Sequence, residues 1–178
     1  GMSAMAAAFG DDVAVVDVGI AADVPGVGIL DRKVRRGTGN IAVEDAMTRP
    51  EALAAMAAGM EQAARARADS ITALGIGEMG IGNTTTSAAV LSALTGADIE
   101  AVTGRGGGLT DEGFARKKDV LRRALTRRAV DKDDVLDVLC AVGGLDIAAM
   151  AGAFLGCARE RIPAAVDGFI SVVAALCA

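Results

Sequence analysis

Residues 71–94 read ITALGIGEMGIGNTTTSAAVLSAL, and their interpretation decides the fold. The run starts apolar and passes through Gly75, Gly77, Gly80 and Gly82. It then offers Asn83, Thr84, Thr85 and Thr86 before an Ala/Leu/Val-rich stretch. In that order it is a strand, a tight loop and the start of a helix. Glycine admits positive φ and lets the backbone approach a ligand closely. Asn and Thr suit the capping of the first N–H groups of a helix, and those groups with the helix dipole favour an anion. The stretch therefore reads as a phosphate-binding loop. Glu78 is the one acid among the glycines. A carboxylate is foreign to a pure phosphate cradle, which points it towards sugar hydroxyls or a reacting centre; the bland alternative is an acceptor for loop N–H groups.

The spacing Gly75-x-Gly77-x-x-Gly80 also fits the dinucleotide fingerprint, with Asp98 and Glu100 at a suitable distance for a ribose. A P-loop is excluded, because no Gly-Lys-Ser/Thr closes the run.

Composition narrows the rest. The chain has 178 residues, enough for one domain with a sizeable core, and we read residues 1–178 as a single nucleotide-binding unit. Half the residues are apolar (52%), yet there are only four Phe and no Tyr or Trp, so the core is built from Ala, Val, Leu, Ile and Met. With a net charge of −5, no basic run and no aromatic interleaving, nucleic acid is not expected as a partner. Histidine is absent, which removes His triads and His metal sites. Cys140, Cys157 and Cys177 are odd in number, lie in apolar surroundings and form no C-x-x-C; they read as buried free thiols in a reducing cytoplasm, with no metal and no cofactor expected. Gly1-Met2 reads as an expression scar before a start methionine. Val138 to Cys157 is apolar with Asp146 its only charge, but Gly143-Gly144 and Asp146 read as a loop and helix start, leaving a helix too short to span a membrane.

Along the chain, Ser3 to Phe9 reads as the tail of a helix and Val13 to Val18 as a buried strand. Gly19 to Asn40 reads as a long loop, of a length that is usually functional or disordered. Thr48, Pro50 and Glu51 carry the capping-box signature of a helix running to about Ala68, with a stripe of Met56, Met60 and Ala63/Ala64. Gly96 ends the helix that follows the glycine loop. Ile99 to Thr103 reads as a strand end, Gly104 to Gly108 as a second glycine turn, and about Asp111 to Ala129 as a charged helix. Helices are expected over Asp131 to Leu139, with Asp133 or Asp134 at its cap, over Ile147 to Ala158 and over Phe169 to Cys177, with a strand at Pro163 to Val166. This alternation predicts an α/β fold: a three-layer, mostly parallel sheet with helices on both faces, Rossmann-like. Sites in such folds lie at the C-terminal ends of strands, where Asp17, Glu78, Thr103 to Gly106 and Asp167 fall.

One loop and four further blocks carry a resemblance. GEMGIGNTT resembles the nicotinate mononucleotide loop of the nicotinate-nucleotide:dimethylbenzimidazole phosphoribosyltransferase family. VVDVGIAADVPGVGILDRKVRRGTGN with AMTRPEA, VTGRGGGLTDEGFARKKDVLRRAL, and VGGLDIAAMAGAFLGCARERIPAAVDGFISVVAAL are similar to family segments in the same order. In the second glycine turn the family often shows Gly-Arg-Gly-Thr-Gly, and Gly107 departs from it. The resemblance implies metal-free transfer of ribose phosphate from nicotinate mononucleotide to a benzimidazole, in cobalamin lower-ligand (α-ribazole phosphate) synthesis, by a homodimer. It further implies that Met79, Gly80, Ile81, Gly82, Asn83, Thr84, Thr85 and Thr86 bind phosphate and ribose, with Glu78 beside the ribose. Gly104, Arg105 and Gly106 close the other side, Lys117 adds a cation to the phosphate, and Asp167 stands near the site. For Lys117 the alternative is a solvated helix lysine; for Asp167 it is a helix N-cap. The chain is shorter than the family's enzymes, with no match to an N-terminal part of the benzimidazole pocket or to a C-terminal motif carrying a glutamate general base. An excised core, a short natural relative and half of a split enzyme are alternative readings of that length. A chain that binds the mononucleotide but transfers poorly is expected; a non-catalytic nucleotide-binding module and a dinucleotide oxidoreductase are the alternatives.

Overall fold

The structure is a computed structural model that describes residues 2–24, 26, 28–127 and 129–178. Gly1 of the expected scar, Pro25 and Val27 of the long loop, and Arg128 near the end of the charged helix lie outside the described residues.

Two long helices hold the centre. Helix α2 (Arg49–Ala68) starts at a capping box: the Glu51 N–H donates to Thr48 Oγ1, and the Glu51 carboxylate accepts from the Thr48 N–H at 2.7 Å. Its buried face is Ala52, Ala55, Ala58, Gly59, Ala63 and Ala66; of the expected stripe Ala63 is buried, while Met56, Met60 and Ala64 are only half-buried. The reason is the partner helix, α7 (Leu145–Glu160), which comes too close for larger side chains. A Cβ on Gly59 would lie 1.8 Å from the Ala149 carbonyl oxygen, one on Gly152 2.0 Å from that of Met56, and one on Gly156 2.7 Å from Ala63 Cβ. The two backbones touch, which only glycine permits.

Both helices end alike. Ser70 (φ 60°) and Arg161 (φ 57°) are left-handed, and the next N–H groups, of Ile71 and Ile162, return to Ala66 and Cys157 carbonyls at 2.9 Å. This Schellman-type closure reverses each chain into a strand. Helix α2 delivers β3 (Leu74–Ile76), α7 delivers β4 (Ala164–Val166), and the two strands pair in parallel with Leu74 opposite Ala164 and Ile76 opposite Val166.

A second parallel pair joins β1 (Val15–Asp17) to β2 (Ile29–Asp31), with Val15 opposite Ile29. The strand β2 lies inside the segment read as loop; three residues between Gly28 and Arg32 are too short to show a period. The alignment extends beyond it through Arg32 N–H to Asp17 O, Val34 N–H to Val18 O and Gly37 N–H to Gly19 O, at 2.9–3.0 Å. Burial pushes the Asp17 carboxyl up, but the Lys33 ammonium at 2.7 Å and the Ile20 and Gly19 N–H groups outweigh it and hold the pKa below its usual value.

The α/β class and the parallel pairing stand. Among the described residues, however, the strands form two separate two-stranded sheets, not one sheet between two helix layers. Ile76 is the one buried apolar strand residue among the described residues, so the core is helical: Val90, Leu121, Val138, Leu139, Ile147 and Val173 fill it. These come from α3 (Asn83–Thr95), α5 (Asp111–Arg127), α6 (Val135–Val142), α7 and α8 (Gly168–Leu176), while α1 (Met2–Phe9) is largely exposed. The expected strand end at Ile99–Thr103 is instead helix α4 (Ile99–Val102), because Asp98 caps it through the Glu100 N–H and Thr103 returns its N–H to Ile99 O. Gly143 and Gly144 separate α6, capped by Asp134, from α7. No helix among the described residues is long and apolar enough to cross a membrane.

The backbone contact between α2 and α7 yields a stability prediction. Gly152→Ala places a methyl against backbone that cannot rotate away, and should destabilise by about 2 kcal/mol or more despite the ~1 kcal/mol helix propensity gained. Gly107→Ala, with open space and ordinary φ, should change stability by less than about 0.5 kcal/mol. Urea denaturation of the two variants checks this; equal midpoints would mean the helices do not meet through Gly152.

Candidate functional site

The C-terminal ends of β3 and β4 open onto the glycine loop. The strand end is anchored by Ser171 Oγ, which donates to Ile76 O at 2.6 Å. After the loop, α3 begins at Asn83 with Gly82 as its N-cap at φ 83°, and no side chain caps it. The sequence reading gave Asn83 a capping role; the left-handed Gly82 takes that position instead. The first N–H groups of α3 therefore remain without a side-chain acceptor, and the helix dipole adds to them.

Opposite stands the second glycine turn. Gly106 (φ 58°) sits so close that a Cβ there would be 3.0 Å from Thr84 Oγ1. Between the two comes Lys117 of α5, only 7% exposed, whose Nζ donates to Thr84 Oγ1 and to Gly104 O, both at 2.9 Å. It is not the solvated helix lysine of the bland reading. An ammonium has three donors, and no carboxylate ion pair of Lys117 occurs among the described residues. Burial lowers its pKa from the ordinary 10.5. Because the Thr84 oxygen accepts from Lys117, its own O–H is free to donate outward. Lys118, one position on, instead pairs with Glu100 and lies 4.3 Å from the centre of the Phe114 ring.

Carboxylates occupy the other side. Asp167, at the end of β4, sits at the N-cap position of α8 but makes no capping bond, and its Oδ2 would be 3.0 Å from a Cβ on Gly77. Glu78 does not hold loop N–H groups; it accepts from Asn83 Nδ2. The same Nδ2 donates to Asp146 Oδ2 at 2.9 Å. Sequence reading had Asp146 only as a helix start, although it is the lone charge in an apolar run of twenty residues, and such an isolated charge asks for a partner. Thr86 Oγ1 donates to Asn83 O at 3.1 Å.

The fold thus brings together Glu78, Gly80, Asn83, Thr84, Gly104, Gly106, Lys117 and Asp167. Met79 and Ile81 are fully exposed at 99% and 106% and face solvent, and Thr85 is half-buried on the first turn. Arg105 turns away, donating to Asp111 Oδ1 at 2.5 Å and to Leu109 O at 3.0 Å. Asp98 and Glu100, which the dinucleotide reading gave to a ribose, cap α4 and bind Lys118 and Arg122. A hollow of about 460 Å³ lies at the opposite ends of β3 and β4, lined by Arg67, Ser70, Thr72 and Arg161. None of its lining residues is an acid, whereas donors, cation and carboxylates converge at the open loop, so the chemistry favours the loop.

Comparison with known proteins points to one family. The family model described as phosphoribosyltransferase matches residues 1–178. The chain is 47% identical over 178 residues to the nicotinate-nucleotide–dimethylbenzimidazole phosphoribosyltransferase of Clostridium perfringens (strain 13 / Type A), covering all of this chain and 49% of that protein. It is 48% identical to the enzyme of the same name from Geobacter metallireducens, covering 51% of it. Among solved structures, CobT from Thermus thermophilus superposes with a TM-score of 0.91 at 42% identity, over 99% of this chain and 53% of that one. The chain spans about half the length of these relatives.

The buried ammonium makes an anion effect pH-dependent. Lys117 titrates below 10.5 in the folded chain and near it in the unfolded one. The cost of burying its charge is therefore present at neutral pH and fades as pH rises through the folded value towards 10.5. Sulfate beside it relieves that cost while the lysine is charged. Sulfate at a hundredfold its dissociation constant should stabilise the protein by about 2.7 kcal/mol near pH 7. The increment should shrink as pH approaches 10.5, and Lys117→Met should remove most of it. Thermal melts with and without sulfate measure this; a pH-independent increment, or one kept by Lys117→Met, would place the anion elsewhere.

Proposed function

The chain belongs to the phosphoribosyltransferase family, and from that premise we propose that its glycine loop binds nicotinate mononucleotide for transfer of the phosphoribosyl group to dimethylbenzimidazole. The observation that carries the reading is Lys117: a buried ammonium with a donor to spare, set between Thr84 at the start of α3 and the Gly104 carbonyl. A phosphate there would accept from the first N–H groups of α3, the Thr84 hydroxyl and Lys117 together.

Fixing the phosphate places the ribose towards Glu78 and Asp167. In transfer, the bond from C1′ to the nicotinate nitrogen breaks and its electron pair leaves with nicotinate. C1′ gains positive character, which nearby carboxylates stabilise electrostatically. An azole nitrogen of the benzimidazole forms the new bond to C1′, and the proton of its other ring nitrogen passes to a base. Holding the ribose still against the azole supplies the proximity advantage. A binding-only role is the second reading, favoured by the engagement of Glu78 with Asn83.

The same reading takes residues 1–178 as one domain. It takes the buried cysteines Cys157 and Cys177, neither in a disulfide, as a sign of a reducing cytoplasm. It also takes the exposed Phe169, Val172 and Leu176 of α8 as one side of a homodimer, which sedimentation velocity should show as a dimer mass.

Calorimetric titration tests the assignment. Lys117→Ala should weaken nicotinate mononucleotide binding by about 1–3 kcal/mol, the scale of a charge-assisted hydrogen bond. Lys118→Ala, already paired with Glu100, should cost well under half of that. Equal effects from both would indicate general charge attraction, and tighter binding of a dinucleotide would overturn the substrate class.

A further inference from the structure

We propose that Asp146 is a positioning residue for the site, acting through Asn83 to hold Glu78 in place; this rests on reading the glycine loop as the ribose phosphate site. Asn83 is only 7% exposed, and its Nδ2 faces two carboxylates, Glu78 Oε2 and Asp146 Oδ2. Ionised carboxylates only accept, and an amide nitrogen carries two hydrogens, so each acid takes one. That fixes which way the Asn83 amide is turned.

Asp146 is itself fixed. Its other oxygen accepts from the Ile147 N–H at 2.9 Å, at the first turn of the helix whose backbone touches α2. The linkage therefore runs from the most closely packed helix pair, through Asp146 and Asn83, to the only carboxylate inside the glycine loop. Two glycines make room for it. A Cβ on Gly80 would lie 2.6 Å from Asn83 Nδ2 and 3.2 Å from Asp146 Oδ2, and one on Gly144 would lie 2.5 Å from Asp146 Oδ1.

Removing Asp146 leaves one Asn83 hydrogen without an acceptor in a buried place and frees the amide to rotate. Turned over, it presents its oxygen to Glu78 and drives the carboxylate away. Asp146 thus acts on the ligand without touching it, and its effect depends on Asn83. A purely structural carboxylate at the start of α7 would act the same whether Asn83 were present or not.

The test is a double-mutant cycle on the 178-residue chain, read by calorimetric titration with nicotinate mononucleotide and by melting temperature. Asp146→Ala should weaken binding about 10- to 100-fold, and Asp146→Asn, which keeps an acceptor without its charge, about 3- to 10-fold. In an Asn83→Ala background, Asp146→Ala should weaken binding by less than about twofold more, while lowering the melting temperature in both backgrounds. An equal loss of affinity in both backgrounds, or no loss in either, overturns the proposal. If Asp146→Ala does not fold, Asp146→Asn carries the same cycle. Lys117→Ala run alongside separates the two claims. If the wild-type chain binds no mononucleotide, or Lys117→Ala leaves affinity unchanged, the site reading fails. The linkage is then judged by the NMR signals of the Asn83 side-chain amide. They should shift and exchange faster with water in Asp146→Asn, and unchanged signals overturn the linkage.

Discussion

The contact on which the rest depends is backbone against backbone, where Gly59, Gly152 and Gly156 let α2 and α7 meet. Each helix closes through a left-handed residue and turns into a strand, so the close approach of the helices also brings β3 and β4 into parallel register. The loops that leave those strands, one carrying Glu78 and the other Asp167, consequently emerge side by side. The start of α7 carries Asp146 to the same place. Glycine in a helix interior costs about 1 kcal/mol relative to alanine. Here that cost is offset by the packing of two helices at a separation no other residue allows.

Charge in the site is divided by this geometry. On one side lie the first N–H groups of α3, which no side chain caps, the Thr84 hydroxyl and the Lys117 ammonium, all suited to an anion. On the other lie Glu78, Asp146 and Asp167, suited to a group that becomes positive. Lys117 is prevented from neutralising those acids by its own bonds to Thr84 and Gly104, which hold it on the anion side. Lys118, Arg122 and Arg105 are engaged with Glu100 and Asp111 away from the loop. A phosphorylated sugar has this polarity when its C1′ loses a leaving group: negative at the phosphate and cationic at the carbon.

Much of this was legible in the sequence. The glycine run between an apolar triplet and a Thr-rich helix start, the Thr48-to-Glu51 capping box, the Gly96 stop and a cap at Asp133 or Asp134, which is Asp134, are local signals, written in residues a few positions apart. Local hydrogen bonding decides such features, so a linear reading finds them. The four blocks from Val15 to Leu176 likewise carried the family. Other features were not legible. Strand β2 is three residues long and exists because β1 lies beside it. Ile99 to Val102 is helical because Asp98 caps it, against an apolar pattern that also suits a strand. The strands divide into two pairs because apolar burial went to the helices, and composition does not say which element will receive it.

The sequence by itself determined which residue types are present to bind an anion, where the chain turns, and which helices start and stop by their own caps. Only the tertiary structure decided that Lys117 and not Lys118 faces the loop, that Arg105 turns away, and that Asp146 reaches Asn83 across sixty-three positions of chain. The physical reason is one of range. Caps and turns are settled by bonds between neighbours in sequence. The direction of a side chain on a helix is settled by what packs against that helix, and here it is the contact of α2 with α7 and the seating of α5 beside α3 that aim the charged groups.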